Sequence, residues 1–149
     1  MQKITSFTVD HRFIDEGIFV SRIDDDITTY DIRTKKPNTG DLMDNETMHT
    51  VEHLFATFVR NSEIKDNVIY FGPMGCQTGF YLLLRNVSTD VAVTQIKEIF
   101  AKICEYNGEI PGNSEIECGN YKSLMLDKAN TLAKEFYAKI EHQGLSQYK

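Results

Sequence analysis

Apolar residues follow two different rhythms along this chain. From Gly17 to Ile23 and from Ile27 to Arg33 the residues are largely β-branched or aromatic, and the acidic run Asp24-Asp25-Asp26 separates them. That pattern predicts two strands joined by a solvated hairpin turn. Residues 3–9 alternate and predict a strand ahead of the hairpin. Residues 67–71 predict a short buried strand, and Phe80-Tyr81-Leu82-Leu83-Leu84 a strongly apolar one. The second rhythm is helical. Met48, Val51, Phe55, Phe58 and Val59, with Leu54 beside them, recur at spacings of three, four and seven and predict a helix over about residues 46–61. Asp44 or Asn45 caps it, and Glu46 places negative charge in its first turn. Val93, Ile96, Ile99, Phe100 and Ile103 predict a second helix, from Ser88 or Thr89 to about Tyr106, with Cys104 on its buried stripe. Leu126, Ala129, Leu132, Ala133, Phe136, Tyr137 and Ile140 predict a third, from Leu124 or Asp127 to His142. His142 sits in its last turn, where a cation suits the dipole, and receives no chemical role.

The order is strands, helix, strands, helix, helix. It implies an α+β fold: a two-layer sandwich with an antiparallel-rich sheet and helices packed on one side. No repeat, linker or low-complexity stretch interrupts it, so residues 1–149 read as one domain.

Composition narrows the function. The net charge is -6, and no basic stripe interleaves with aromatics, which argues against nucleic acid or an anionic membrane as partner. No stretch approaches the ~18 apolar residues of a membrane span, and the amino-terminal segment lacks the apolar run of a signal peptide. A cytoplasmic protein is expected. Its three cysteines, Cys76, Cys104 and Cys118, are then free thiols rather than a disulfide framework.

The first predicted helix carries His49-Thr50-Val51-Glu52-His53. Residues four apart lie above one another on a helix face, so both imidazoles can reach one divalent ion at roughly 2.0–2.1 Å. Glu52 then stands close enough to exchange a proton with a bound species without ligating the ion. Two histidines need at least one more protein ligand. The candidates are Cys118, His11 and an acidic residue. Cys118 is favoured by its polar neighbours and by Gly119, which lets backbone approach. A third ligand leaves a fourth position for water or substrate, as catalysis requires. Cys76 follows Pro73-Met74-Gly75 in a glycine-rich loop that runs into the apolar strand. Such a thiol, aimed at a cleft near a cation, exchanges protons near neutral pH; the position equally suits a packed structural cysteine.

These segments resemble the S-ribosylhomocysteine lyases, the autoinducer-2 synthesis family known as LuxS. The residues that carry the resemblance are Ser6 to His11, His49 to His53, Pro73 to Gly79 and Glu117-Cys118-Gly119, in that order and nearly end to end. The resemblance implies cleavage of the thioether of S-ribosylhomocysteine to homocysteine and 4,5-dihydroxy-2,3-pentanedione. The route is aldose-to-ketose shifts followed by β-elimination. It implies one ferrous ion per subunit, with zinc or cobalt as substitutes, held by His49, His53 and Cys118. It implies Glu52 and Cys76 as proton carriers, Ser6, His11 and Arg33 as sugar-holding residues, and a homodimer with active sites at the interface. Two positions depart: Tyr70 stands where family members often carry an acid, and Gly72 where serine is common. Two rival readings remain at this stage. H-x-x-E-H is also a zinc metallopeptidase motif, usually completed by a downstream glutamate. A non-catalytic metal-binding module would close its site with four protein ligands, His11 being the available fourth.

Overall fold

A computed structural model describes residues 1–149. Four strands form one antiparallel sheet: β1 (Gly17–Asp24), β2 (Ile27–Arg33), β3 (Val68–Pro73) and β4 (Gly79–Arg85). Their spatial order is β1-β2-β4-β3, every neighbour antiparallel. The hairpin turn holds Asp25 at φ 53, in the left-handed region that a short aspartate tolerates. Three helices follow the expected order: α1 (Asn45–Val59), α2 (Thr89–Glu105) and α3 (Leu126–Ile140). Asp44 caps α1 by accepting from the Thr47 amide, and Ser88 caps α2 by accepting from Val91.

Strand alternation explains the layering. Ile18, Tyr30, Ile32, Phe80, Leu82 and Leu84 point to the helix side and are buried. α1 meets β3 there through Phe55, whose ring stacks on Phe71 at 4.0 Å. α3 reaches β1, while α2 packs along α3 and against α1. The α2–α3 contact centres on Phe100 and Phe136, with centroids 4.9 Å apart. Twenty-four buried residues form this one continuous core. Inside it the Tyr30 hydroxyl has no hydrogen-bond partner.

Three expectations are corrected. Residues 3–9 are not a strand; Thr5–Phe7 and His11–Phe13 are single 3-10 turns. Alternation needs a neighbouring strand to pair with, and β2 is the only strand that pairs with β1, whose other edge carries a single bridge to Ser146. Residues 67–71 are not uniformly buried, because β3 is an edge strand with a bulge between Val68 and Tyr70 that leaves Ile69 and Tyr70 exposed. The third helix also stops at Ile140, so His142 lies beyond it and is exposed.

Candidate metal centre and its neighbouring thiol

The buried face of α1 is Thr50, Val51, Leu54, Phe55 and Val59. Docking that face on the core turns His49 and His53 to the opposite side, half-buried, one turn apart. The loop between α2 and α3 brings Cys118 to them. The ligand atoms of His49, His53 and Cys118 all lie within 4.8 Å of one another. The Cys118 thiol is 3.3 Å from His49 Nε2.

Each of these groups is held from behind. His53 Nδ1 lies 2.7 Å from the Pro111 carbonyl, which can only accept, so Nδ1 carries the proton and Nε2 is left as the ligating nitrogen. His49 Nδ1 lies 2.6 Å from Ser123 Oγ, whose own proton goes to the Asn120 carbonyl at 3.1 Å. His49 therefore also donates from Nδ1. Burial first, and then the nearby His53, hold the His49 imidazole below its ordinary pKa and keep it neutral. The Asn120 amide donates to the Cys118 sulfur at 3.4 Å. Gly112 makes the Pro111 approach possible: its φ is +74, and a Cβ there would stand 2.9 Å from His53 Nδ1. Two imidazole nitrogens and one cysteine sulfur fit a divalent transition metal with one open position. Glu52, His53, Phe71 and Pro111 line a cavity of about 320 Å³ beside the cluster.

The remaining sequence-predicted residues gather elsewhere. Cys76 and His11 line a cavity of about 450 Å³ with Pro37, Asn38 and Thr78, and no residue of the metal cluster shares it. Ser6, His11 and Arg33 line a small cleft with Asp31, Tyr81 and Tyr148. Within the chain His11 lies apart from the His49, His53 and Cys118 cluster; its Nδ1 meets the Val9 carbonyl at 2.9 Å. Cys76 is exposed, with its sulfur 3.0 Å from Thr78 Oγ1. The loop that carries it is pinned at Gln77, whose φ is 65. The Gln77 amide donates to the Met74 carbonyl, its carbonyl accepts from the Met43 amide, and its side-chain amide donates to the Met43 carbonyl at 2.8 Å. Arg33 and Asp31 form an ion pair with side chains 3% and 2% exposed. The two departures are linked: the Tyr70 phenol folds over Gly72 into space that any Cβ on residue 72 would occupy.

Sequence reasoning gave no role to Asp31, Thr78, Ser123 or Pro111. Asp31 was within reach, because residues two apart on a strand share a face and an arginine on a buried strand needs an acid. Ser123 and Pro111 had no signal; they meet α1 only after the long loop folds.

Comparison with known proteins agrees with the geometry. The S-Ribosylhomocysteinase (LuxS) family model matches residues 4–146. The S-ribosylhomocysteine lyase of Desulfotalea psychrophila is 44% identical over 147 aligned positions, covering 94% of this chain and 92% of that protein. That of Clostridium acetobutylicum is 43% identical over 149 positions, covering 95% and 94%. That of Borreliella afzelii is 46% identical over 135, covering 87% and 86%. With a two-histidine, one-cysteine cluster on α1 and its facing loop, and with likeness spanning nearly all of its length, the chain belongs to the S-ribosylhomocysteinase (LuxS) family.

Proposed function

We propose that this protein is a carbon–sulfur lyase that cleaves S-ribosylhomocysteine to homocysteine and 4,5-dihydroxy-2,3-pentanedione, the autoinducer-2 precursor. The observation that carries the reading is the three-ligand cluster of His49, His53 and Cys118 with Glu52 one residue from a ligand, in a chain of this family. Three protein ligands leave a place for substrate, which disfavours a closed structural module, and a cysteine in place of a downstream glutamate disfavours the peptidase.

The proposed ion is ferrous, one per subunit, with zinc or cobalt able to replace it in an imidazole–thiolate set. Bound there, it supplies Lewis-acid polarisation of a sugar oxygen. The proposed roles of the protein groups follow from the chemistry. Each carbonyl shift along the ribose removes a proton from one carbon and returns one to its neighbour. Glu52 is the proposed base and Cys76 the second proton carrier. Once the carbonyl stands at C3, the proton on C4 is acidic. Its removal sends the C4–H electron pair into a new C4=C5 bond, and the C5–S pair leaves with sulfur as homocysteine thiolate. Ser6, His11 and Arg33 are the proposed sugar-holding residues; all three line one cleft beside Tyr81.

A homodimer with active sites at its interface belongs to the proposal. It is supported by the separation of the two groups, since the Cys76 cavity includes no metal ligand. It is supported too by exposed Ile4 and Tyr70, which line a groove on the outer sheet face with Tyr81 and Leu83, an apolar surface suited to a second copy. No helix is long and apolar enough to cross a membrane. A reducing cytoplasm is the proposed setting, in keeping with three free thiols.

The test is thiol release from S-ribosylhomocysteine by protein purified without oxygen. Stoichiometric homocysteine with one equivalent of metal supports the reading. Absence of release from metal-loaded, folded protein refutes it.

A further inference from the structure

The segment after α3 turns back across the outer face of the sheet. The Ser146 amide donates to the Ile18 carbonyl at 2.7 Å, and Ser146 pairs with Phe19 in a single parallel bridge. Two residues on, the Tyr148 ring stacks on Phe19 with centroids 4.7 Å apart and planes 5° from parallel. The stack aims the phenol at Asp31, and its hydroxyl donates to Asp31 Oδ2 at 2.7 Å.

Asp31 is already engaged. Arg33 donates to it twice, from Nε at 3.1 Å and Nη2 at 2.7 Å. The remaining guanidinium nitrogen, Nη1, donates to Thr78 Oγ1 at 2.8 Å and stands 3.9 Å from the Cys76 sulfur. Thr78 Oγ1 is 3.0 Å from that same sulfur. One line of polar contacts therefore runs Tyr148–Asp31–Arg33–Thr78–Cys76, and its central ion pair is dry. Arg33 sits opposite Gly79 across the β2–β4 ladder, so no side chain on its cross-strand partner steadies it. Its direction is set by the two acceptors it binds. In a low-dielectric setting the loss of one donor to a carboxylate reorients the others.

We infer that Tyr148 is a positioning residue for the Cys76 thiol. Its hydroxyl fills an acceptor site of Asp31, which locks the arginine fork and so fixes the charge and the hydroxyl that face the sulfur. The inference rests on the assignment of Cys76 as a proton carrier.

The test replaces Tyr148 by Phe, which keeps the stack on Phe19 and deletes only the hydroxyl, with Ser146→Ala as a control in the same segment. Two quantities are read on metal-loaded protein. One is kcat for thiol release. The other is the rate at which iodoacetamide alkylates Cys76, followed by peptide mapping to separate it from Cys104 and Cys118. The expected result for Tyr148→Phe is a fall of about tenfold in kcat and about threefold or more in alkylation, with an unchanged melting temperature. Ser146→Ala should match the parent in both. An unchanged kcat or an unchanged alkylation rate in Tyr148→Phe overturns the inference, as does an equal loss in Ser146→Ala. Failure of the lyase reading looks different: the parent itself then releases no thiol, while the alkylation comparison can still be made.

Discussion

The two chemical halves of this chain are built on opposite plans. The candidate metal cluster stands on a helix whose rear face is the core, and each of its three side chains is held by a main-chain or hydroxyl contact from the α2–α3 loop. The Cys76 half stands on a loop at the end of the sheet, with an exposed thiol steadied by a buried ion pair and a strained glutamine. One half takes its precision from packing, the other from a polar network. Packing tolerates the loss of one outer contact gradually, whereas a dry ion pair fails abruptly when one partner is removed.

The sharpest way to break this comparison is to disable each half separately. Cys118→Ala should lose the metal, and Cys76→Ala should keep it. Each alone should fall below about a thousandth of the parent's turnover. If the halves meet across a dimer interface, mixing the two variants should restore activity, because one site of a mixed dimer has both halves intact. Failure of subunit-exchanged mixtures to regain activity would place both halves of a site in one chain.

Removing Arg33 comes next in size. Arg33→Ala leaves Asp31 charged and buried, so it should cost about 3–5 kcal/mol in urea denaturation while metal content stays at the parent value. Loss of metal in this variant would show that the halves are not independent. Ser123→Ala probes the other plan. It frees one imidazole and should weaken metal affinity by about 10–100-fold in chelator competition, with stability of the metal-free protein nearly unchanged.

The smallest expected effect is at the foot of α1. Its side-chain bond to Lys128, and then the Thr47 hydroxyl and amide, hold the Asp44 carboxyl at about 2, below the usual 3.8. The folded value lies below the unfolded one, so this contribution is complete above pH 3.8 and lost as pH falls towards 2. Asp44→Ala should therefore cost about 1 kcal/mol at neutral pH. The gap from the parent should close in acid melts over that window.

Periodicity made the helices legible because burial imposes it directly; Val51, Leu54 and Phe55 mark α1 whatever surrounds it. The closeness of His49 and His53 was legible for the same reason, since a helix converts a spacing of four into proximity. The segment around Ser6 was misread as a strand because alternation says nothing about the availability of a partner edge. Exposure of Tyr70 was missed because β3's place at the sheet edge is a property of topology, not of residues 67–71. The backing of His53 by Pro111 joins positions 58 apart in the chain, and its only trace is a glycine at 112 among several loop glycines.

Because both imidazoles ride on the helix that closes the hydrophobic interior, an ion bound between them would double as a gauge of that interior. Trimming Leu54 or Phe55 to a smaller side chain would tilt the two nitrogens together. In a cobalt-loaded protein the visible absorption bands would register the tilt, so colour would report on packing several ångströms away from the coordination sphere.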